Sequence, residues 1–248
     1  MTGVQTCALP IFATGAHTVW GHAYRSGTGM SFGGHDLMQA QTFGAFHGGS
    51  DYFGLGIVAH ESGHALFDLP DLYDTVATDG IIHGFGHFSL MSAGSWGSTP
   101  SSPKQGSCPV NLDGFCIHYI SKALCKEINA SGAQTLASPY EPHFIVTPKV
   151  KDEVYILQPR CFQDYDEALQ NYLGAGAKNG VLVIHKNPWF ASVSSPTVMC
   201  AHIIEAHGGE QHLRVNDGGN AGQDTDFFGN GVNALLTQIG RASCRERV

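Results

Sequence analysis

The stretch Gly56-Ile57-Val58-Ala59-His60-Glu61-Ser62-Gly63-His64-Ala65-Leu66-Phe67-Asp68-Leu69-Pro70-Asp71-Leu72-Tyr73-Asp74 decides how the rest of this sequence is read. His60 and His64 stand four residues apart, a spacing that on a helix stacks two imidazoles on one face and can aim both at a single ion. Neutral imidazole suits zinc, and a catalytic zinc takes three protein ligands while leaving its remaining position to water. Glu61 follows the first histidine directly, where its carboxylate can accept a proton from such a water, so it is the candidate general base. The His-Glu-x-x-His pattern therefore points to zinc-assisted hydrolysis.

The flanking residues bear on the helix itself. Ser50 or Asp51 can cap its start, while Phe53, Ile57 and Leu66 supply apolar anchors. Gly63 is an expensive residue for a helix interior, by about 1 kcal/mol relative to alanine, and a close approach by another backbone beneath the ligands would explain it. Asp68, Leu69 and Pro70 end the helix. The turn they make lets the chain swing back toward the ion, so a third ligand can come from a few residues downstream. In a chain with 14 histidines, two on one helix could be coincidence. That reading leaves Gly63, the downstream acids and the later Leu90-Met91-Ser92 unaccounted for.

The string HESGHALFDLPDLYD, followed by SLMSAGSWG, resembles the immune inhibitor A type of metallopeptidase, a relative of the metzincins. The resemblance implies an α+β fold, a metzincin-like zinc peptidase domain followed by a β-rich appendage. In that family a histidine pair and an aspartate beyond the helix bind zinc, the glutamate is the base, and a methionine turn lies under the metal. Carried over, His60, His64 and Asp71 become the ligands, Glu61 the base and Met91 the turn residue. One departure stands out. The family pattern has glycine three residues after the second histidine and aspartate six after it, where this chain has Phe67 and Pro70. Matching Asp71 requires one extra residue, with Asp68 in the place of the turn glycine, a conformation aspartate tolerates. Asp68 stays open as a rival ligand and Asp74 as a weaker one. Tyr73 either hydrogen-bonds a ligand or the reacting carbonyl, or packs against the turn, and base rates favour packing.

With 248 residues and 42% hydrophobic content, the chain can build one catalytic domain, over 12–138, and a smaller β-rich region over 139–239. The apolar runs are too short to span a membrane. A formal charge of −8 disfavours nucleic acid and anionic membrane as partners. A protein or peptide substrate remains, and the oligomeric state is not legible. The ends, MTGVQTCALPI at 1–11 and GRASCRERV at 240–248, resemble translated sequencing-adapter sequence and are set aside as non-native. Cys7 and Cys244 fall in those ends. Cys108, Cys116, Cys125, Cys161 and Cys200 remain, an odd number that fits two disulfides, with Cys108 and Cys125 among the members, or free buried thiols equally well.

Residues 17–47, rich in Gly and His, read as loops and short strands. An edge strand there could hold extended substrate by main-chain hydrogen bonds. His17, His22, His35 and His47 match no ligand spacing. After a linker at 98–107, Leu112, Phe115, Cys116, Tyr119, Ile120, Ala123 and Leu124 repeat at helical spacing and predict a core-facing helix, with His118 off its apolar stripe. Four β-like runs follow, at 144–146, 153–157, 180–185 and 202–206. Arg160, between them, reads as structural. Asn216-Asp217-Gly218-Gly219-Asn220 through Asp224-Thr225-Asp226 places hard oxygen donors on turns, chemistry that suits structural calcium, although such residues more often make turns alone.

The expected function is a zinc-dependent endopeptidase acting on extended polypeptide, which the resemblance implies to be secreted or in the cell envelope. The alternatives are a catalytically inactive zinc-binding adhesion module, which would bind zinc without hydrolysis, and a zinc hydrolase of a non-peptide amide or ester.

Overall fold

The computed structural model describes residues 54–74, 83–128, 136, 142–144, 153–187, 201–207, 213 and 220–229, and the backbone of 22–32, 35–42, 46–47, 51–52 and 145–146. It is a mixed α and β structure. Strands β1 (His22–Phe32) and β2 (His35–Thr42) form an antiparallel ribbon, and β3 (Phe46–His47) pairs with β4 (Asp51–Tyr52). Helix α1 spans Leu55–Phe67. Helix α2 (Gly114–Ile120) precedes a five-stranded sheet in the order β5-β6-β7-β8-β9, formed by Lys126–Glu127, His143–Val146, Val154–Arg160, Gly180–Lys186 and Ala201–Ile204. Helix α3 (Glu167–Leu173) bridges β7 and β8. Only the β5–β6 pair is parallel; the rest is an antiparallel meander.

Alternation along the central strands divides the apolar side chains between two faces. Val154, Ile156, Leu182, Ile184, Ala201 and Ile203 enter the main core, whereas Tyr155, Val183 and Ile204 pack with Ala206 and Phe228 on the other side. The main core also contains Leu69, Leu72, Phe85, Phe88, Met91 and Phe115. Thus the β-rich region and the segments around the histidine helix share one hydrophobic body. The boundary expected near residue 139 lies outside the described residues.

Several expectations are corrected. Residues 22–32 and 35–42 form longer strands than loops and short strands would suggest, with a register shift between Arg25 and Met30. The intervening Ser26-Gly27-Thr28-Gly29 supplies the small residues that such irregularities use. Helix α1 starts at Leu55 after Gly54, with no side-chain cap, so neither Ser50 nor Asp51 caps it. Gly54 and Gly56 let this end lie directly on another loop: the Gly56 amide donates to the Gly106 carbonyl at 2.8 Å, and a methyl on Gly56 would strike the Ser95 carbonyl oxygen. Of the expected anchors, Ile57 is buried, Leu66 is 71% exposed and Phe53 lies outside the described residues.

The helix predicted over 112–124 is shorter. Asp113 caps α2 by accepting from the Phe115 and Cys116 amides. At Ser121 the backbone becomes extended and the side chain accepts from Ala123, a local bond that competes with helix continuation. Tyr119 and Leu124 are therefore exposed, while His118 is buried against Phe144 at a ring separation of 5.2 Å. Burial, with Lys186 and Lys122 nearby, pushes its pKa down to about 4. Cys108, Cys116 and Cys161 are free thiols, and Cys108 faces the Asp164 and Tyr165 carbonyls. Cys200 lies outside the described residues, as do His17 and the side chains of His22, His35 and His47.

Arg160 fastens the sheet to the loop below the histidine helix. Its guanidinium makes a two-point contact with Asp166, Nε to Oδ2 at 2.7 Å and Nη2 to Oδ1 at 2.6 Å, and Nη1 donates to the Phe88 carbonyl at 2.8 Å. Both residues are 1% exposed. Removing one partner strands the other charge in the core, so Arg160→Met should cost about 3–5 kcal/mol in chemical denaturation. The double variant Arg160→Met/Asp166→Leu should lose less than the sum of the single losses, which a double-mutant cycle measures.

Candidate metal centre

Helix α1 presents His60 and His64 on one face, and the turn after it brings Asp71 opposite them. Asp68 adopts the left-handed conformation (φ 57°, ψ 31°), and its amide bonds back to the Gly63 and His64 carbonyls. That is the geometry of a helix C-terminal turn, with aspartate where glycine is usual. Asp68 is exposed and is not part of the donor group, whereas Asp71 Oδ1 is 3.2 Å from both His60 Nε2 and His64 Nε2. The two Nε2 atoms are 3.1 Å apart. Asp74, half-buried at the end of the turn, is not part of this group.

Main-chain acceptors set the imidazole tautomers. His60 Nδ1 donates to the Leu90 carbonyl at 2.9 Å and His64 Nδ1 to the Leu69 carbonyl at 2.5 Å. Each neutral ring then carries its proton on Nδ1 and turns the Nε2 lone pair inward. Two such lone pairs and a carboxylate oxygen converge within contact distance. Like-polarity atoms repel unless a cation or a proton lies among them, and a nitrogen-nitrogen-oxygen donor set fits zinc.

The electrostatics agree. Burial opposes ionisation of Asp71, but the hydrogen bonds and charges that His60 and His64 supply when protonated outweigh it and hold its carboxyl well below the usual carboxylate range. For His64, burial disfavours the charge, yet Asp71, the Leu69 carbonyl and Glu61 together raise its pKa. Burial, the charge of Asp71, a hydrogen bond to Asp71 and the charge of Glu61 all push Tyr73 upward, keeping its hydroxyl protonated. Tyr73 lies near enough to Asp71 to feel its charge, and its ring centroid is 6.4 Å from that of His60. Glu61 is buried on the same helix, 8% exposed.

Met91 is fully buried beneath the helix. Gly63 faces its side chain: a methyl at Gly63 would lie 2.7 Å from Met91 Sδ, so a thioether, not the backbone the sequence suggested, requires glycine here. The Met91 loop and the Asp71 turn are joined directly, since the Leu72 amide donates to the Met91 carbonyl at 2.8 Å and the Phe85 amide to the Leu72 carbonyl at 2.8 Å.

Sequence reading missed two supporting residues, Ser89 and Asp113. Ser89 Oγ donates to Asp113 Oδ2 at 2.6 Å and accepts from the Met91 amide at 2.9 Å, tying the loop to the cap of α2. An aspartate immediately before a helical apolar pattern is a capping signal, so Asp113 was findable; nothing in the sequence marks Ser89.

A sequence model of the immune inhibitor A peptidase M6 catalytic domain matches residues 12–124. Helix α1, the Asp71 turn, the Met91 loop and α2 all lie within that match, and strands β5 to β9 lie beyond it. No curated protein matches the chain.

Because the Met91 side chain fills the space that a Gly63 methyl would need, Gly63→Ala should destabilise the protein by about 1–3 kcal/mol through overpacking. Shortening the opposing side chain should relieve it: thermal unfolding of Gly63→Ala/Met91→Ala should show a smaller loss than the two single losses added together.

Proposed function

Taking residues 12–124 as a metallopeptidase domain of the immune inhibitor A type, we propose that the chain is a zinc-dependent endopeptidase with Glu61 as its general base. The observation that carries this reading is the convergence of His60 Nε2, His64 Nε2 and Asp71 Oδ1 on one point. When bound there, zinc supplies the Lewis acidity that makes water nucleophilic near neutral pH.

The chain's own residues do the rest. Leu90 and Leu69 hold the imidazoles in the tautomer that leaves Nε2 free to donate its lone pair. Asp71 offers a carboxylate oxygen 3.2 Å from both Nε2 atoms. Glu61 takes the proton from the attacking water and returns it to the departing amine nitrogen. Tyr73, kept protonated by burial and by the charge of Asp71, stands beside that carboxylate. The ribbon of β1 and β2 packs beside α1 and, as a two-stranded sheet, has a main-chain edge suited to an extended polypeptide.

Zinc analysis paired with casein cleavage tests the proposal. Glu61→Gln should retain the metal and lose turnover by about three orders of magnitude or more, the scale of general base catalysis and above. Asp71→Ala should lower zinc affinity more than Asp68→Ala; equal metal content in the two variants would reject the ligand assignment. Zinc bound by the unaltered chain without cleavage of any protein substrate would point instead to a binding module.

A further inference from the structure

A second convergence of donors lies away from the first, where the end of β9 meets the 3-10 turn Asp224–Asp226. His207 Nε2 is 3.1 Å from Glu205 Oε2 and 3.2 Å from Asp226 Oδ1. The Glu205 and Asp226 side chains are 3% and 0% exposed and His207 is 18% exposed. Each carboxylate is oriented by a main-chain donor to its other oxygen: the Leu213 amide reaches Glu205 Oε1 at 3.0 Å, and the Gln223 amide reaches Asp226 Oδ2 at 2.8 Å. One oxygen of each is thereby turned toward the imidazole. As at the first site, a histidine nitrogen lies 3.1 to 3.2 Å from carboxylate oxygen.

We propose that Glu205, His207 and Asp226 form a second, structural binding site for a divalent transition-metal cation of the zinc class. The charges favour a dication. Two carboxylate oxygens and an imidazole nitrogen within contact distance offer a divalent ion two negative charges and a lone pair. The nitrogen donor sets the class, since calcium takes oxygen ligands and imidazole suits zinc and its neighbours. Asn216–Gly219 lies outside the described residues, and Asp226 both closes a capping box with Gln223 and faces His207.

The position gives such an ion a mechanical role. It would clasp residues that support the Met91 loop: Leu213, bonded to Glu205, accepts from the Gly84 amide at 2.9 Å, and Ala221 accepts from the His87 amide at 2.7 Å. Phe227, next to Asp226, packs on Phe88 with ring centroids 5.1 Å apart.

The test is zinc content and thermal unfolding of the full chain. The unaltered protein should hold about two equivalents, and His60→Ala/His64→Ala about one. Adding His207→Asn to that double variant should remove the remaining equivalent and the rise in melting temperature that zinc produces. Asp226→Asn alone should leave one equivalent, and if it fails to fold, the partly exposed His207→Asn alone reports the same loss. A His60→Ala/His64→Ala protein that binds no zinc overturns the proposal. So does one that binds calcium in preference to zinc, or one whose zinc is unaffected by His207→Asn.

Discussion

The Leu90 carbonyl accepts the Nδ1 hydrogen of His60, and much of the site depends on where that carbonyl is held. An imidazole free to rotate offers either nitrogen; one fixed by a main-chain acceptor offers Nε2 in a single direction. Leu90 in turn sits in a loop whose neighbours are all constrained. The Met91 amide bonds to Ser89, Ser89 to Asp113, the Met91 carbonyl to the Leu72 amide, and the Phe88 carbonyl to Arg160. The loop therefore connects the histidine helix, the Asp71 turn, the cap of α2 and the sheet.

This arrangement explains why the β-rich half of the chain matters to a centre built from residues 60 to 71. Phe88 and Met91 lie in the same core as Ile156, Leu182 and Phe227. Burial there removes several large apolar side chains from water at once, each contributing about 1.5–3 kcal/mol in transfer terms. The bidentate Arg160–Asp166 pair adds directional constraint more than net stability, because burying both charges offsets most of their attraction. The donor group at the end of β9 reaches the same loop through main-chain bonds, from the Gly84 amide to the Leu213 carbonyl and from the His87 amide to the Ala221 carbonyl.

Parts of this were legible in the residues. The four-residue spacing of His60 and His64, the aspartates after the helix and the four apolar runs beyond residue 140 rest on periodicity and local chemistry, which survive without tertiary information. The choice between Asp68 and Asp71 was open in sequence, since both are carboxylates within reach of a turn. It is the left-handed backbone at Asp68 that turns its side chain to solvent and carries Asp71 to the histidines. His118 and Leu66 were misjudged because helical stripes were read without knowing what packs against them.

By itself the sequence determined the identity and spacing of His60 and His64 on α1, the glutamate beside them, and the strand character of the second half, because each is a property of residues close along the chain. Only the tertiary structure decided the tautomers, the packing of Gly63 on Met91, and the meeting of Glu205 and His207 with Asp226. Those depend on main-chain carbonyls and on contacts between residues tens of positions apart, and neither leaves a periodic signal. A carbonyl is present at every residue, so what makes the one at Leu90 matter is its place in the fold.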